Sequence, residues 1–288
     1  MHRIVCAVNE SLYYQILCKG LLQSLLKYCS IPCKLTVLLD GEHTQPLDDL
    51  RKYIEIVRVK PLDLICGCVP SRTTFARLEI PYIFSNEKRI LYLDVDTYVM
   101  NDIKELFTIP FKTLAAVVPG DVLMIKELIK REFKSNLSKL EYELDGITYS
   151  CGLEDHRYFN AGVMLIDPYK WRKLRVKQHV EALTLAHPSA MYTSDEMALN
   201  LIFRGHLTDL RACYNTFNFT EIFLNETARI WHFNTCKPIL HMPLSQCQTW
   251  LSLFKTSDQI LLKKLENIAK ISGNTTLLEM KSEDYHRI

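Results

Sequence analysis

Two aspartates, Asp94 and Asp96, directly follow an apolar stretch over residues 89–93 that is predicted to be a strand. In an extended backbone, residues i and i+2 point the same way, so we expect the two carboxylates side by side at the end of that strand. Because adjacent anions repel each other, a hard divalent cation such as Mg²⁺ or Mn²⁺ would stabilise the pair. The alternative is a plain turn in which Asp96 caps the segment after Thr97.

Small and amide-bearing residues stand at the start of a second apolar stretch. Asn160, Ala161 and Gly162 open a run that continues to Ile166. Small side chains let a flat polar ligand approach the backbone closely, which favours a ligand-binding role. A tight turn that enters a core strand is the equally consistent alternative.

A helix is predicted from Asp195 to Phe203, and its first two residues are acidic. Thr193 and Glu196 have the spacing of a capping box, and acidic residues stabilise a helix N-terminus. A structural role for these residues is therefore the simplest interpretation of this segment.

An imidazole and an ammonium group occur close together in the last quarter of the chain, at His232 and Lys237. A single histidine beside aromatic residues is usually packed and hydrogen-bonded. As a third ligand beside Asp94 and Asp96, His232 would favour Mn²⁺ over Mg²⁺, and Lys237 would pair with a phosphate.

The composition restricts the class of protein. The chain has 288 residues, 48% hydrophobic and 24% charged, with a formal net charge of +2, which argues against a surface-wide nucleic-acid interface. Its nine glycines form neither a GxGxxG fingerprint nor a GxxxxGK[ST] loop, so a phosphate must be held by other means. The ten cysteines, with no secretory leader pattern before them, are expected to be reduced in a cytoplasmic protein.

Strand-like and helix-like segments alternate through the first third of the chain. The pattern predicts strands over residues 3–8, 34–39, 54–59 and 114–118, and helices over residues 13–28, 75–84, 122–144 and 258–271. Pro81 is expected to end its helix early. The alternation indicates an α/β fold with a parallel sheet, whose ligand site lies outside the carboxyl ends of the strands, where Asp94 and Asp96 fall.

These segments, in this order, resemble glycosyltransferase family 8 over about residues 3–240. The resemblance rests on five ordered blocks: residues 3–8, 73–78, 90–96, 159–163 with 171–172, and 195–200 with 232–238. It implies a GT-A fold with a Rossmann-like, mostly parallel central sheet flanked by helices. We expect one such domain over residues 1–250, followed by a helical C-terminal tail over residues 251–288.

The resemblance also implies an activity, the transfer of a hexose from a UDP-sugar donor with retention at the anomeric carbon. Glucose or galactose is the expected hexose, and a sugar, oligosaccharide or glycolipid the expected acceptor. Asp94, Asp96 and His232 would hold Mn²⁺, with Mg²⁺ as the alternative, and the ion would act as a Lewis acid on the diphosphate. The remaining donor-binding positions implied are Ala7, Asn9, Arg77, Val95, Asn160, Ala161, Gly162, Asp195 and Lys237. The candidate catalytic residues are Asn160, Asp195 and Glu196.

Four positions depart from the family pattern. Glu196 replaces the usual glutamine, and it would serve as a nucleophile, as the base of an inverting reaction, or only as a cap. The HxxGxxKP pattern is one residue shorter here, with Thr235 where glycine is expected. Asn9 replaces an aspartate, and Leu12 an aromatic residue that often stacks on the uracil, so the base specificity is open.

Three other classes of protein remain as alternatives. A sugar-nucleotide pyrophosphorylase would need a basic, glycine-rich loop after its first strand, which residues 7–10 do not provide. A non-catalytic protein that binds nucleotide sugars or carbohydrates would keep Asp94 and Asp96, and a structural partner protein would bind no metal-dependent ligand.

The tail helix carries Lys263, Lys264 and Lys270, and it would either pack on the domain, the ordinary outcome, or lie peripherally on an anionic bilayer.

Overall fold

The structure is a computed structural model. It describes residues 1–66, 72–119, 139–152, 158–203, 206–217, 228–234 and 236–287. The chain forms two compact units. Unit 1 comprises Met1–Arg58, Leu93–Ile109 and Ala212–Ile288, and unit 2 comprises Val59–Tyr92 and Pro110–Arg211.

Unit 1 is built on parallel strands. β1 (His2–Asn9) pairs in parallel with β2 (Cys33–Asp40), which pairs in parallel with β3 (Ile54–Arg58). The six central residues of β1 are all buried, as is usual for parallel strands that are covered on both faces. A separate antiparallel pair is formed by β5 (Thr97–Val99) and β11 (Ile230–His232).

One N-terminal helix and three C-terminal helices share a hydrophobic core in unit 1. They are α1 (Leu12–Tyr28), α6 (Gln248–Leu251), α7 (Thr256–Ser272) and α8 (Asn274–Glu279). A Cβ atom at Gly20 would lie 2.7 Å from Nε1 of Trp250, so the absence of a side chain allows this close approach. Lys19 and Asp258, both almost fully buried, form an ion pair with an Nζ–Oδ1 distance of 3.0 Å that joins α1 to α7.

The apolar stripe of α7 faces this core. Leu262 and Leu265 are buried, and Leu261 and Ile268 pack against the same core, whereas Ile260 is 53% exposed. The tail helix is therefore packed on unit 1, the ordinary outcome considered from its sequence. Among the residues that the structure describes, no helix is both long enough and apolar enough to cross a bilayer.

Unit 2 contains the strands β4 (Ile90–Leu93), β6 (Ala115–Pro119), β9 (Phe159–Ile166) and β10 (Leu207–Asp209). Their order in the sheet is β10-β6-β9-β4. β10 runs parallel to β6, and β6 runs antiparallel to β9. Its helices are α2 (Ile80–Ile83), α3 (Pro168–Lys173), α4 (Val176–Ala186) and α5 (Asp195–Phe203).

The predicted fold class is confirmed: the fold is α/β, with a mostly parallel central sheet flanked by helices.

The helix predicted over residues 122–144 is wrong at its C-terminal end. β7 (Leu140–Leu144) pairs antiparallel with β8 (Ile147–Cys151). Asp145 and Gly146 between them have φ angles of 53° and 74°, the left-handed pair that closes a two-residue hairpin. The rest of the predicted helix, up to residue 138, lies outside the described residues.

The expected effect of Pro81 is also wrong. The segment predicted as a helix over 75–84 is a 3₁₀ helix over Arg72–Glu79 followed by α2. Pro81 occupies the first turn of α2, where its missing N–H has no intrahelical acceptor to lose. It therefore stands at the beginning of a helix instead of ending one.

Candidate active site

The two aspartates after β4 lie in a turn. The backbone N–H and the Oγ1 hydroxyl of Thr97 both donate to the carbonyl oxygen of Asp94, at 3.0 and 2.7 Å. This turn, and not the two-residue repeat of an extended strand, therefore positions the carboxylates of Asp94 and Asp96, which corrects the geometry expected from the sequence. The Asp94 side chain is 25% exposed and the Asp96 side chain 11% exposed.

The antiparallel pair of β5 and β11 brings His232 to these aspartates. His232 lies opposite Thr97, and its Nε2 atom is 3.1 Å from Oδ1 of Asp96 and 4.0 Å from Oδ2 of Asp94. One ligand atom from each of the three residues lies within 4.8 Å of the others. The three residues singled out in the sequence thus form one group, called here the Asp-Asp-His cluster.

The donor set of the Asp-Asp-His cluster fits a divalent cation, and a contact with Asn215 orients the His232 ring within it. Nδ1 of His232 is 3.0 Å from Oδ1 of Asn215, and because an amide oxygen only accepts, Nδ1 carries a proton. The opposite ring nitrogen, Nε2, lies 3.1 Å from Oδ1 of Asp96, where either a proton on Nε2 or a bound cation can join the two atoms. An imidazole nitrogen with two carboxylate oxygens is a donor set that divalent metals accept.

Lys237 adds a positive charge to the cluster. Its Nζ donates to Oδ2 of Asp96, and to the carbonyl oxygen of Asn234 at 3.1 Å. Burial would raise the pKa of the Asp96 carboxyl, but the ammonium of Lys237 and the imidazole of His232 outweigh it and hold that pKa well below its usual range. Burial would lower the pKa of Lys237, but the Asp96 carboxylate more than offsets this and raises it. Both groups are therefore charged at neutral pH.

The positions implied to bind the base and ribose lie at the end of β1. Ala7 is buried, and Leu12, where an aromatic residue was expected, is fully buried and offers no surface for stacking. Oδ1 of Asn9 accepts a hydrogen bond from the N–H of Ser11, and the carbonyl oxygen of Asn9 accepts one from Nε2 of Gln15. Both hydrogen bonds are 3.0 Å long. Asn9 therefore shapes the turn into α1.

A second group of predicted residues lies in unit 2, where Arg77 and Asp195 form a buried ion pair. Nε of Arg77 is 2.8 Å from Oδ2 of Asp195, and the two side chains are 5% and 2% exposed. Nη1 of Arg77 donates to the carbonyl oxygen of Ala161 at 2.5 Å, and the guanidinium lies 4.6 Å from the ring centre of Tyr92. Arg77 therefore joins the start of α5 to the backbone of β9.

Glu196 organises the start of β9 through both of its carboxylate oxygens. Oε1 accepts a hydrogen bond from the hydroxyl of Tyr158. Oε2 accepts two hydrogen bonds, from Nδ2 of Asn160 and from the backbone N–H of Ala161, and both are 2.8 Å long. Oδ1 of Asn160 in turn accepts the N–H of Gly162 at 2.9 Å. We call Tyr158, Asn160, Ala161 and Glu196 the Glu196 network; it fixes the orientation of the Asn160 amide.

Asn215 and Tyr158 contribute to these groups but were not singled out in the sequence. Asn215 contacts a residue 17 positions away, and Tyr158 one that is 38 positions away. Burial and the Glu196 carboxylate raise the pKa of Tyr158, so its hydroxyl acts as a donor. No local spacing indicates such pairs, although Tyr158 directly precedes one of the family-like blocks. Thr235, a departure from the family pattern, lies outside the described residues.

The sequence matches a glycosyltransferase family and several characterised proteins. The model of glycosyl transferase family 8 matches residues 7–239. The chain is 27% identical over 154 residues to the lipopolysaccharide 1,2-glucosyltransferase of Escherichia coli K12, covering 53% of this chain and 41% of the relative. It is 26% identical over 149 residues to general stress protein A of Bacillus subtilis, covering 50% of this chain and 46% of the relative. The chain thus spans less than half the length of these relatives.

The fold also matches solved structures. The galactosyltransferase LgtC, in complex with donor and acceptor sugar analogs, aligns with a TM-score of 0.63 and 18% identity, over 87% of this chain and 94% of that chain. At this identity the likeness shows a shared fold, which is the GT-A fold expected from the sequence. Because the family model covers most of its residues, the chain belongs to glycosyltransferase family 8.

Proposed function

We propose that this chain transfers a hexose, glucose or galactose, from a UDP-sugar to a sugar, oligosaccharide or glycolipid acceptor, with retention at the anomeric carbon. The observation that carries the proposal is the Asp-Asp-His cluster, in which Nε2 of His232 lies 3.1 Å from a carboxylate oxygen of Asp96 and 4.0 Å from one of Asp94. Membership of family 8 supports the reaction class, and the names of two similar proteins, a glucosyltransferase and a galactosyltransferase, support the choice of hexose.

Asp94, Asp96 and His232 would hold a divalent ion, Mn²⁺ by preference because one ligand is an imidazole nitrogen. Such an ion supplies Lewis-acid stabilisation of the diphosphate leaving group. The low pKa of Asp96 supports this role, since a metal-binding carboxylate must be ionised. Val95, between the two aspartates, would contact the donor through its backbone, and Ala7 and Asn9 would lie near the base and ribose.

Lys237 would pair with the diphosphate of the donor and neutralise the charge that develops on departing UDP. Its ammonium is held by Asp96 and by the carbonyl oxygens of Asn234 and Phe233, and its side chain is 16% exposed. A cation fixed in this way needs little reorganisation during the reaction, which is the condition under which electrostatic stabilisation is most effective.

Asn160, Ala161, Gly162 and Asp195 would bind the sugar of the donor, with Arg77 beside them. The ion pair with Arg77 supports this role for Asp195, because it holds the carboxylate in a fixed position. A hexose that lacks a hydroxyl to donate to Asp195 would leave a buried carboxylate with an unsatisfied acceptor, which selects against it.

Glu196 would act as a positioning residue. Its two oxygens already accept three hydrogen bonds, and a carboxylate engaged in this way is a weaker nucleophile and a weaker base than a free one. This favours retention without a covalent bond to Glu196 over an inverting reaction with Glu196 as the base, and the ion pair with Arg77 weakens Asp195 as a base in the same way. A cytoplasmic location, with peripheral contact to a membrane for a glycolipid acceptor, stays a prediction.

Thermal unfolding with a panel of nucleotides and UDP-sugars, each in Mn²⁺ and in EDTA, tests the proposal. A ligand that binds only the folded state raises the midpoint by mass action, so we expect a Mn²⁺-dependent increase with UDP and with one UDP-hexose. The same donor should then release UDP when acceptors are added. Asp94→Asn is the matched control and should lose the Mn²⁺-dependent part of the increase.

Two outcomes would contradict the proposal. A Mn²⁺-dependent increase without UDP release from any donor and acceptor pair would favour a non-catalytic nucleotide-sugar-binding protein. An absence of any increase, with the protein folded, would mean that the chain has the fold without the donor site.

A further inference from the structure

Two cysteines at the join between α1 and β2 place their sulfur atoms close together. Cys29 directly follows α1, Cys33 is the first residue of β2, and their Sγ atoms are 3.6 Å apart. The intervening Ser30 is fixed because its N–H and its hydroxyl donate to the carboxylate of Asp102, at 3.2 and 2.6 Å. A short, anchored turn therefore holds the two thiols together.

Both thiols are accessible, and that of Cys29 is acidic enough to react first. Each cysteine is half-buried. The hydrogen bond from Cys33 lowers the pKa of the Cys29 thiol to about 7, against the opposing effects of burial and of the Asp102 carboxylate. The same hydrogen bond and burial raise the pKa of Cys33. Cys29 is therefore the group that reacts first, since the thiolate is the nucleophile.

A second cysteine pair in the same unit serves as an internal comparison. The Sγ atoms of Cys6 and Cys18 are 3.7 Å apart, so the separation is nearly the same. Both residues are buried, at 3% and 0% exposure, and the hydrogen bond from Cys6 and burial raise the pKa of Cys18. Proximity alone therefore does not distinguish the two pairs, whereas access and acidity do.

We propose that Cys29 and Cys33 are a reversible disulfide site whose oxidant is a small disulfide such as glutathione disulfide. The site is independent of the proposed transferase function. Its product would join the end of α1 covalently to the start of β2.

The exchange proceeds in two balanced steps. The Cys29 thiolate attacks one sulfur of glutathione disulfide, the bond between the two glutathione sulfurs breaks, and one glutathione thiolate leaves and takes up a proton. The Cys33 thiol then loses its proton, its sulfur attacks the sulfur of Cys29, and the second glutathione leaves as a thiolate that is protonated. The two cysteines lose two electrons and two protons in total, and glutathione disulfide becomes two molecules of glutathione.

Thiol mapping in a glutathione redox buffer tests the site. Free thiols of the intact, folded chain are blocked with N-ethylmaleimide after oxidation, and trypsin then releases residues 28–34 with both cysteines in one peptide. We expect this peptide to be unblocked and internally disulfide-bonded, and to become blocked after reduction. Alkylation of Cys29 should rise with pH around a midpoint near 7, and at pH 7 it should be several-fold faster than for an ordinary thiol.

Single variants distinguish the order of the two steps. In Cys33→Ser, Cys29 should accumulate as the mixed disulfide with glutathione, whereas in Cys29→Ser, Cys33 should remain largely unmodified. Cys18→Ser is the control and should leave oxidation of residues 28–34 unchanged. Full blocking of this peptide in oxidising buffer, or oxidation of Cys6 and Cys18 at the same rate, would overturn the proposal.

Discussion

Nδ1 of His232 lies 3.0 Å from Oδ1 of Asn215, and this contact directs the opposite ring nitrogen at the carboxylate of Asp96. The His232 side chain is 1% exposed, so water does not compete for the ring. The amide of Asn215 therefore fixes the orientation of the ring, with Nε2 on the side of the two aspartates.

Replacement of this amide should weaken metal binding. In Asn215→Ala the ring loses the acceptor that fixes its tautomer and orientation, so we expect the affinity for Mn²⁺ to fall about 10- to 100-fold. Isothermal titration of the nucleotide-free protein measures it directly. Asn101→Ala is the control, because Asn101 donates to the backbone of Ala228, and it should leave the affinity unchanged. Equal affinity in wild type and Asn215→Ala would contradict the assignment.

The two aspartates of the cluster should differ in their effect on stability. Asp96→Asn removes the carboxylate that pairs with Lys237, and because this ion pair is largely buried, we expect a loss of about 3 kcal/mol in the free energy of unfolding. Asp94→Asn affects a side chain that is 25% exposed, and it should change stability by less than about 1 kcal/mol.

Both substitutions should nevertheless abolish Mn²⁺-dependent turnover. Urea unfolding in EDTA separates the two effects, since no metal then contributes to stability. Unchanged activity in both variants would rule out the metal site, and equal destabilisation by the two would contradict the role of the Lys237 ion pair.

The sequence predicted the residues of the Asp-Asp-His cluster but not how the chain brings them together. An apolar strand followed by two aspartates is a local pattern, and it can be recognised without knowledge of the fold. The turn closed by Thr97 and the register of β11 are tertiary features, set by pairing across more than a hundred residues, as in the 136-residue separation of Asp96 and His232. The contact of Asn215 is unpredictable from the sequence for the same reason.

Helical spacing predicted the wrong secondary structure where a hairpin turn interrupts it. The charged stretch before residue 144 has helical spacing, but Asp145 and Gly146 adopt positive φ angles and favour a hairpin, and that turn determines the local structure. For Glu196 the capping-box pattern indicated a structural role, and the structure adds contacts to β9 that helix rules do not anticipate.

Glu196→Gln tests the positioning role of this residue. A glutamine can accept from Asn160 and Ala161 with its oxygen and donate to the hydroxyl of Tyr158, which then donates to Oγ1 of Thr193, 2.8 Å away. All contacts of the Glu196 network can thus be kept, so we expect kcat to fall by less than about tenfold.

The non-polar variant Glu196→Leu should behave differently. It leaves Nδ2 of Asn160 and the N–H of Ala161 without their acceptor, and we expect kcat/KM to fall about 10²- to 10³-fold. Steady-state kinetics on Glu196→Gln and Glu196→Leu tests whether Glu196 is a positioning residue. A loss of three or more orders of magnitude in Glu196→Gln would instead support a covalent or general-base role.

His179 should make unit 2 less stable in mild acid. Its Nδ1 is 2.8 Å from the hydroxyl of Tyr142, and its ring packs edge-on against Tyr149 with a centroid distance of 4.7 Å. Burial, together with the Arg175 guanidinium, lowers the pKa of His179, and the nearby Asp145 carboxylate offsets this only in part. The unfolded chain therefore binds a proton at higher pH than the folded chain does.

It follows that this contribution to stability is complete above the unfolded pKa of about 6.5 and decreases as the pH falls from there towards the lower folded value. In His179→Gln, which keeps an acceptor for Tyr142, the free energy of unfolding should decrease less than in wild type when the pH is lowered from about 7 to about 5. Urea unfolding at a series of pH values measures the slope. His206→Gln, at an exposed histidine of the same unit, is the control. Parallel pH profiles for wild type and His179→Gln would show that protonation of His179 is not coupled to folding.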